Sequence, residues 1–190
     1  MIVTGYKIDQ ILDSDKHFKL GISHVKNEQA IKVKFADRAK VTFERQLLLK
    51  YNFGLLKDLS HELIPRAIDF RSDKAHIALI TEFVQGKSVE ELTRDNSIPV
   101  IEAIKIALDI AKILAYLYDK KVIHQSLSPS NVIIDEQGHA HLINFDKASN
   151  QDALAQDKVP VRLLPYELDY CSPEQTGRVN RIIDYRTDLY

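Results

Sequence analysis

The sequence predicts an α+β fold, and three observations carry that expectation. Residues 29–35, QAIKVKF, alternate cleanly, with Ile31, Val33 and Phe35 on one face and Ala30, Lys32 and Lys34 on the other, the period-2 mark of a half-buried strand. Farther on, apolar residues fall at Ile101, Ile104, Leu108, Ala111, Ala115 and Tyr118, a spacing that predicts a helix of about five turns. Between these stretches lies a short polar segment, Gln85-Gly86-Lys87-Ser88, which reads as the hinge between a β-rich part and a helical part.

The elements follow in order. Tyr6–Leu12 and Phe18–His24 predict a hairpin, followed by the alternating strand. VTFERQLLLKY predicts a helix with Phe43, Leu47, Leu48 and Tyr51 on its apolar stripe. Ala67–Phe70 and His76–Phe83 predict two more strands, joined by a turn at Arg71-Ser72-Asp73. Ser97 and Pro99 mark the start of the long helix, and the cations of Asp119-Lys120-Lys121 suit its C-terminus. Two short strands, Val132–Ile134 and His141–Phe145, flank the turn DEQG. From Lys147 onward the chain reads as loop, with prolines at 160, 165 and 173.

Composition narrows the function classes. The 190 residues are 45% hydrophobic and 28% charged with a formal net charge of −1, an ordinary globular mixture with room for a core. No basic run marks a nucleic-acid surface. No apolar run approaches the roughly 20 residues of a membrane span, and the N-terminus lacks a signal-peptide pattern. The single cysteine, Cys171, excludes a disulfide framework, so a cytoplasmic setting is expected.

The order of short motifs then resembles a protein kinase domain. AIK at 30–32 is similar to the third-strand lysine motif, and Glu44 stands on the following helix, where the resemblance puts the ion-pair glutamate. ITEFVQGKSVEEL at 80–92 resembles the hinge and the helix after it, with Glu82 and Val84 at nucleotide-contacting positions. HQSLSPSN at 124–131 stands at the catalytic loop, NFD at 144–146 at the D-F-G position and SPE at 172–174 at the A-P-E position. Asp188 resembles the aspartate opening the next large helix. The tail, YCSPEQTGRVNRIIDYRTDLY, resembles bacterial serine/threonine-kinase-like domains at the head of large proteins that also carry an ATPase module and a sensor histidine kinase. The resemblance implies a two-lobed kinase-like fold, with a β-rich N-lobe with one helix (residues 1–84) and a partial, mainly helical C-lobe (85–190). It implies ATP and magnesium as cofactors, and other domains of a larger signalling protein, or a separate partner protein, as partners. A chain lacking the second half of the large lobe is expected to leave Ile104, Leu108 and Ala111 partly uncovered.

Phosphoryl transfer is mostly positioning and charge neutralisation, so its parts can be checked in turn. Lys32, paired with Glu44, would hold the α/β-phosphates; Ala30 on the same face would floor the adenine, and Lys34 is a substitute cation. The glycine-rich phosphate loop is replaced by Asp13-Ser14-Asp15-Lys16-His17, with no glycine before Gly21. Asn131 is kept as a metal ligand, but the second ligand is the neutral Asn144, leaving Asp146 as a candidate replacement. Ser126 stands where the base belongs, and Ser128 where the loop lysine belongs. A serine hydroxyl does not accept a proton near neutral pH, and a missing base lowers a rate by roughly 10²–10⁴. His124 is expected to be structural, and His139 and His141 ordinary strand residues. The expectation is a pseudokinase with weak nucleotide and magnesium binding. The alternative is an active serine/threonine kinase with displaced catalytic residues.

Overall fold

A computed structural model describes residues 1–25, 29–94, 97–155 and 168–190. Pro160 and Pro165, expected in loops, lie outside the described residues. The chain divides into two compact units, Met1–Asp58 with Arg66–Phe83, and Leu59–Pro65 with Val84–Tyr190.

The first unit opens with a small antiparallel pair, β1 (Ile2–Val3) and β2 (Tyr6–Lys7), turning through Thr4 and Gly5, both at positive φ. Then come β3 (Gln10–Ser14), β4 (Lys19–His24), β5 (Ala30–Asp37), α1 (Phe43–Lys57), β6 (Ala67–Ser72) and β7 (His76–Glu82). The strands form one antiparallel sheet in the order β3-β4-β5-β7-β6. Ile31, Val33 and Phe35 of β5 pack with Val3, Ile8, Ala78 and Ile80 in a core on one face, as the alternation predicts. The other face buries Ala36, Ile77 and Leu79, and α1 packs on β6 and β7.

Two expectations shift here. Tyr6 and Lys7 pair with Ile2 and Val3 rather than entering the hairpin, which is built from β3 and β4. The stripe expected on α1 is rotated. Phe43 is 69% exposed and Leu47 40%, while Leu48, Leu49, Asn52 and Leu56 point inward. The helix carries apolar residues nearly all round, so periodicity alone does not choose its buried face.

In the second unit, β8 (Lys87–Ser88) leads into α2 (Val89–Thr93). Ser88 and Glu91 form a reciprocal capping box there, worth about 1 kcal/mol. Gly86 makes the entry possible, because a Cβ at that position would overlap the carbonyl oxygen of Ile134. The long helix α3 (Val100–Asp119) follows, then β9 (Val122–Ile123), β10 (Val132–Ile134), β11 (Ala140–Leu142), β12 (Ser149–Asn150) and α4 (Gln151–Ala155). Strands β11, β10 and β8 form one small sheet, β12 and β9 another. Helix α3 packs on β9 and β11 through Asp109, Ile113 and Leu117. The Asp109 carboxylate accepts from Lys112 Nζ (2.9 Å) and from the backbone N–H of Ala140 (3.2 Å), which fixes the β11 end of the hairpin. The apolar residues whose spacing predicts α3 lie on its exposed side, with Ile101 71%, Ile104 54% and Leu108 57% accessible. Among the described residues no helix is long and apolar enough to cross a membrane.

Candidate nucleotide and phosphoryl-transfer site

The loop from His124 to Asn131 is anchored at both ends by buried groups. His124 is fully buried; its Nε2 lies 3.1 Å from the carbonyl oxygen of Ile143, and its ring stacks edge-on against Phe145 at 4.7 Å. Burial pushes the imidazole down to about 4, so it is neutral and structural at physiological pH. The backbone N–H groups of His124 and Gln125 donate to the two oxygens of Asp188, each at 2.7 Å. Burial raises the Asp188 carboxyl to about 6 against the opposing pull of those donors.

Gln125 was missed in the sequence. It adopts a left-handed backbone (φ 61°), and its side-chain amide donates to the Lys147 carbonyl (3.0 Å) and to the Ser149 hydroxyl. Its own carbonyl accepts from Gln175 Nε2 at 2.9 Å. One neutral side chain thus ties the loop to the segment after Phe145, and a second ties it to the segment after Cys171. A half-buried amide in a polar loop has no periodic signature, so only the folded chain reveals it.

Three of the residues singled out in the sequence come together. Asn131 Nδ2 donates to the Ser126 carbonyl at 2.8 Å, and Asn131 Oδ1 accepts from Asn144 Nδ2 at 3.1 Å. Asn144 is held in the left-handed region (φ 66°) at the start of a single 3₁₀ turn, Phe145–Lys147, that carries the half-buried Asp146. Ser128 is buried, its hydroxyl 2.8 Å from that of Ser130. A magnesium ion needs hard oxygen ligands, usually with at least one carboxylate. Here the two positions are neutral amides, and the oxygen of one is engaged by the N–H of the other. By themselves these two amides do not fit the metal, and the remaining candidate ligand is the half-buried Asp146. Ser126, whose hydroxyl is at once a donor and a weak acceptor, does not fit the role of base either.

In the first unit, Ala30 and Lys32 share a face of β5, both half-buried, with Lys32 registered between Ile22 and Thr81. Glu44 lies exposed in the first turn of α1. Its own backbone N–H and the Thr42 side chain hold its carboxyl below the usual carboxylate range, as at a helix N-terminus. The polar residue on the inward face of α1 is Asn52, about two turns later and 2% exposed. A lone asparagine among Leu48, Leu49 and Leu56 was the available sequence signal for that position. The Glu82 carboxylate is taken up by Arg66, whose Nε and Nη2 reach it at 2.7 and 2.5 Å. Burial raises the Glu82 carboxyl, but the Arg66 hydrogen bonds win and hold it low. Val84 is half-buried and belongs to the second unit.

The phosphate-loop position is the β3–β4 turn. Asp15 Oδ1 accepts from the backbone N–H groups of His17 and Phe18, both at 2.6 Å, and Asp13 Oδ1 accepts from that of Ser14 at 2.7 Å. Gly21, the first glycine after the turn, serves packing: a Cβ there would lie 2.6 Å from Cγ2 of Ile8.

Comparison with known proteins agrees with the motif order. The chain is 31% identical over 140 residues to the serine/threonine-protein kinase pkn2 of Myxococcus xanthus, covering 72% of this chain and 17% of that protein. It is 27% identical over 128 residues to the probable serine/threonine-protein kinase YbdM of Bacillus subtilis, covering 66% of this chain and 47% of that one. A probable inactive serine/threonine-protein kinase of Dictyostelium discoideum is 25% identical over 114 residues, 60% of this chain and 10% of that protein. The chain thus spans at most about half the length of these relatives. The protein kinase domain model matches residues 19–190, a span that takes in the lysine strand, the catalytic-loop position and the buried Asp188, and the chain therefore belongs to the protein kinase family.

Proposed function

We propose that this chain is a pseudokinase, a kinase domain that has kept its fold as a binding or regulatory module in bacterial signalling and has lost phosphoryl transfer. The observation that carries the reading is the amide pair Asn131–Asn144, which closes the metal-ligand positions on each other beside a serine in place of the base. In this reading residues 1–84 and 85–190 are the small lobe and part of the large lobe. Ala30, Lys32, Glu44, Glu82 and Val84 are what remains of a nucleotide site. Nucleotide is held weakly and magnesium contributes little. The domain acts in the cytoplasm through other domains of a larger protein or through a separate partner.

The test is incubation of the purified chain with γ-labelled ATP and magnesium, beside a Lys32→Met control. No incorporation above the control is expected. Robust incorporation that Lys32→Met abolishes would establish the active alternative, with Asp146 as the first candidate for the displaced metal ligand.

A further inference from the structure

The first eight residues form a separate layer on one face of the five-stranded sheet. Among the described residues β1 and β2 pair only with each other, so no strand ladder stitches them to the sheet beneath. Side chains hold them there. Val3 and Ile8 are buried against Ile31, Val33, Phe35, Ala78 and Ile80. Gly21 of β4 is the socket for Ile8, because a Cβ at that position would lie 2.6 Å from Ile8 Cγ2. On the edge strand β6, Asp69 Oδ2 accepts from the Tyr6 hydroxyl at 3.1 Å and from Arg71 Nε at 2.6 Å. The layer ends at Asp9, whose N–H donates to the Ile22 carbonyl at 2.9 Å and whose carboxylate accepts from the His24 N–H at 3.1 Å.

The turn of this hairpin opposes the attachment. Its first position, Thr4, sits at φ 48°, in the left-handed region where glycine, asparagine or aspartate is favoured and a β-branched residue is strained. The Thr4 hydroxyl is also buried without a hydrogen-bond partner, at the cost of its lost hydration. We propose that the face carrying Ile31, Val33 and Phe35 is a docking face for a short apolar hairpin, and that residues 1–8 are its resident, releasable occupant. The hairpin lifts as a unit about Asp9 while the sheet stays folded. Lifting relieves Thr4, wets its hydroxyl and uncovers the apolar side chains beneath Val3 and Ile8. The same face then accepts a hairpin of the same chemistry from another domain or a partner protein. This goes beyond the pseudokinase reading and does not depend on it.

Native-state amide exchange on the purified chain, followed by NMR across low urea concentrations, tests the assignment. A two-stranded hairpin is marginal in water once lifted. The amides of Val3 and Ile8 are therefore expected to exchange at least tenfold faster than those of Val33 and Ile80, with little dependence on urea. Tyr6→Phe, which removes the bond to Asp69, should speed them about tenfold, and Thr4→Asn, which suits the turn, should slow them about tenfold. Gly21→Ala closes the socket, and this variant should bind the apolar dye ANS while Val33 and Ile80 stay protected. The proposal is overturned if Val3 and Ile8 share the rate and urea slope of Val33 and Ile80, because the hairpin then opens only with the whole unit. It is equally overturned if Tyr6→Phe or Thr4→Asn leaves the exchange unmoved, or if Gly21→Ala binds no dye or loses protection throughout the sheet.

Discussion

His124 and Asp188 meet across 64 positions of sequence, the backbone N–H of the one donating to the carboxylate of the other at 2.7 Å, and their side chains titrate in opposite senses. Burial lowers the His124 imidazole from 6.5 to about 4 and raises the Asp188 carboxyl from 3.8 to about 6. The contribution of neutral His124 is complete above 6.5 and is lost as pH falls toward 4. That of Asp188 is complete below 3.8 and is lost as pH rises toward 6. Between about pH 4 and 6 the two oppose each other, one proton against one. In Asp188→Asn the His124 slope should stand alone, so stability relative to wild type falls by about 1.4 kcal/mol per unit as pH drops through that window. Urea denaturation at pH 4.5, 5.0 and 5.5 measures it; parallel curves for the two proteins would refute the assignment.

The amide pair predicts a gain of metal response. In Asn144→Asp the new carboxylate has no N–H to give Asn131 and offers a hard ligand in its place. Thermal melts with ATP should become magnesium-dependent in this variant, shifting by a few degrees, while the wild-type chain shows no such dependence. An unchanged melt in Asn144→Asp would mean that the amide pair is not what excludes the metal.

Two glycines make a matched test of backbone space. Gly54 lies inside α1, where an added Cβ would meet nothing within 4 Å, so Gly54→Ala should stabilise by about 0.5–1 kcal/mol. Gly86→Ala drives a methyl against the Ile134 carbonyl and should cost about 1–3 kcal/mol. Equilibrium unfolding separates the two by sign.

The two sides of α3 should answer differently to substitution. Ile113 is fully buried, and Ile113→Ala is expected to cost about 2–5 kcal/mol. Ile104→Gln and Leu108→Gln, on the exposed side, should each stay within about 0.5 kcal/mol in the same denaturation assay. A large loss at Leu108 would show that the stripe is covered in solution.

Gln125 is expected to matter through its amide. Gln125→Ala removes the donors to Lys147 and Ser149 and leaves the buried Ser149 hydroxyl short of a partner, at a cost of about 1–3 kcal/mol. Gln125→Glu keeps the length but replaces the donating amide with an acceptor facing the Lys147 carbonyl, and should be at least as damaging in a thermal melt.

Strand β5 was legible because a period of two admits one buried face, and Ile31, Val33 and Phe35 fill it. The helices were legible as helices but not in their orientation. Both α1 and α3 carry apolar residues on more than one side, and the choice between Phe43 and Leu49, or between Leu108 and Ile113, is made by the strands they pack on. The site divides in the same way. Ser126, Ser128 and Asn144 are departures that anyone can read from the letters. That Asn144 turns its amide onto Asn131, or that Asp15 folds back onto His17 and Phe18, depends on backbone angles and distances that no spacing encodes.

The tether from Asp188 to His124 and Gln125 also sets an order of events on the ribosome. Two interior N–H groups of the 124–131 loop wait for a carboxylate made 63 and 64 residues later, so this loop reaches its final bonding only when nearly the whole second unit has emerged. Nascent chains halted before Asp188 should accordingly be cut by protease within the loop, and chains extended past it should resist.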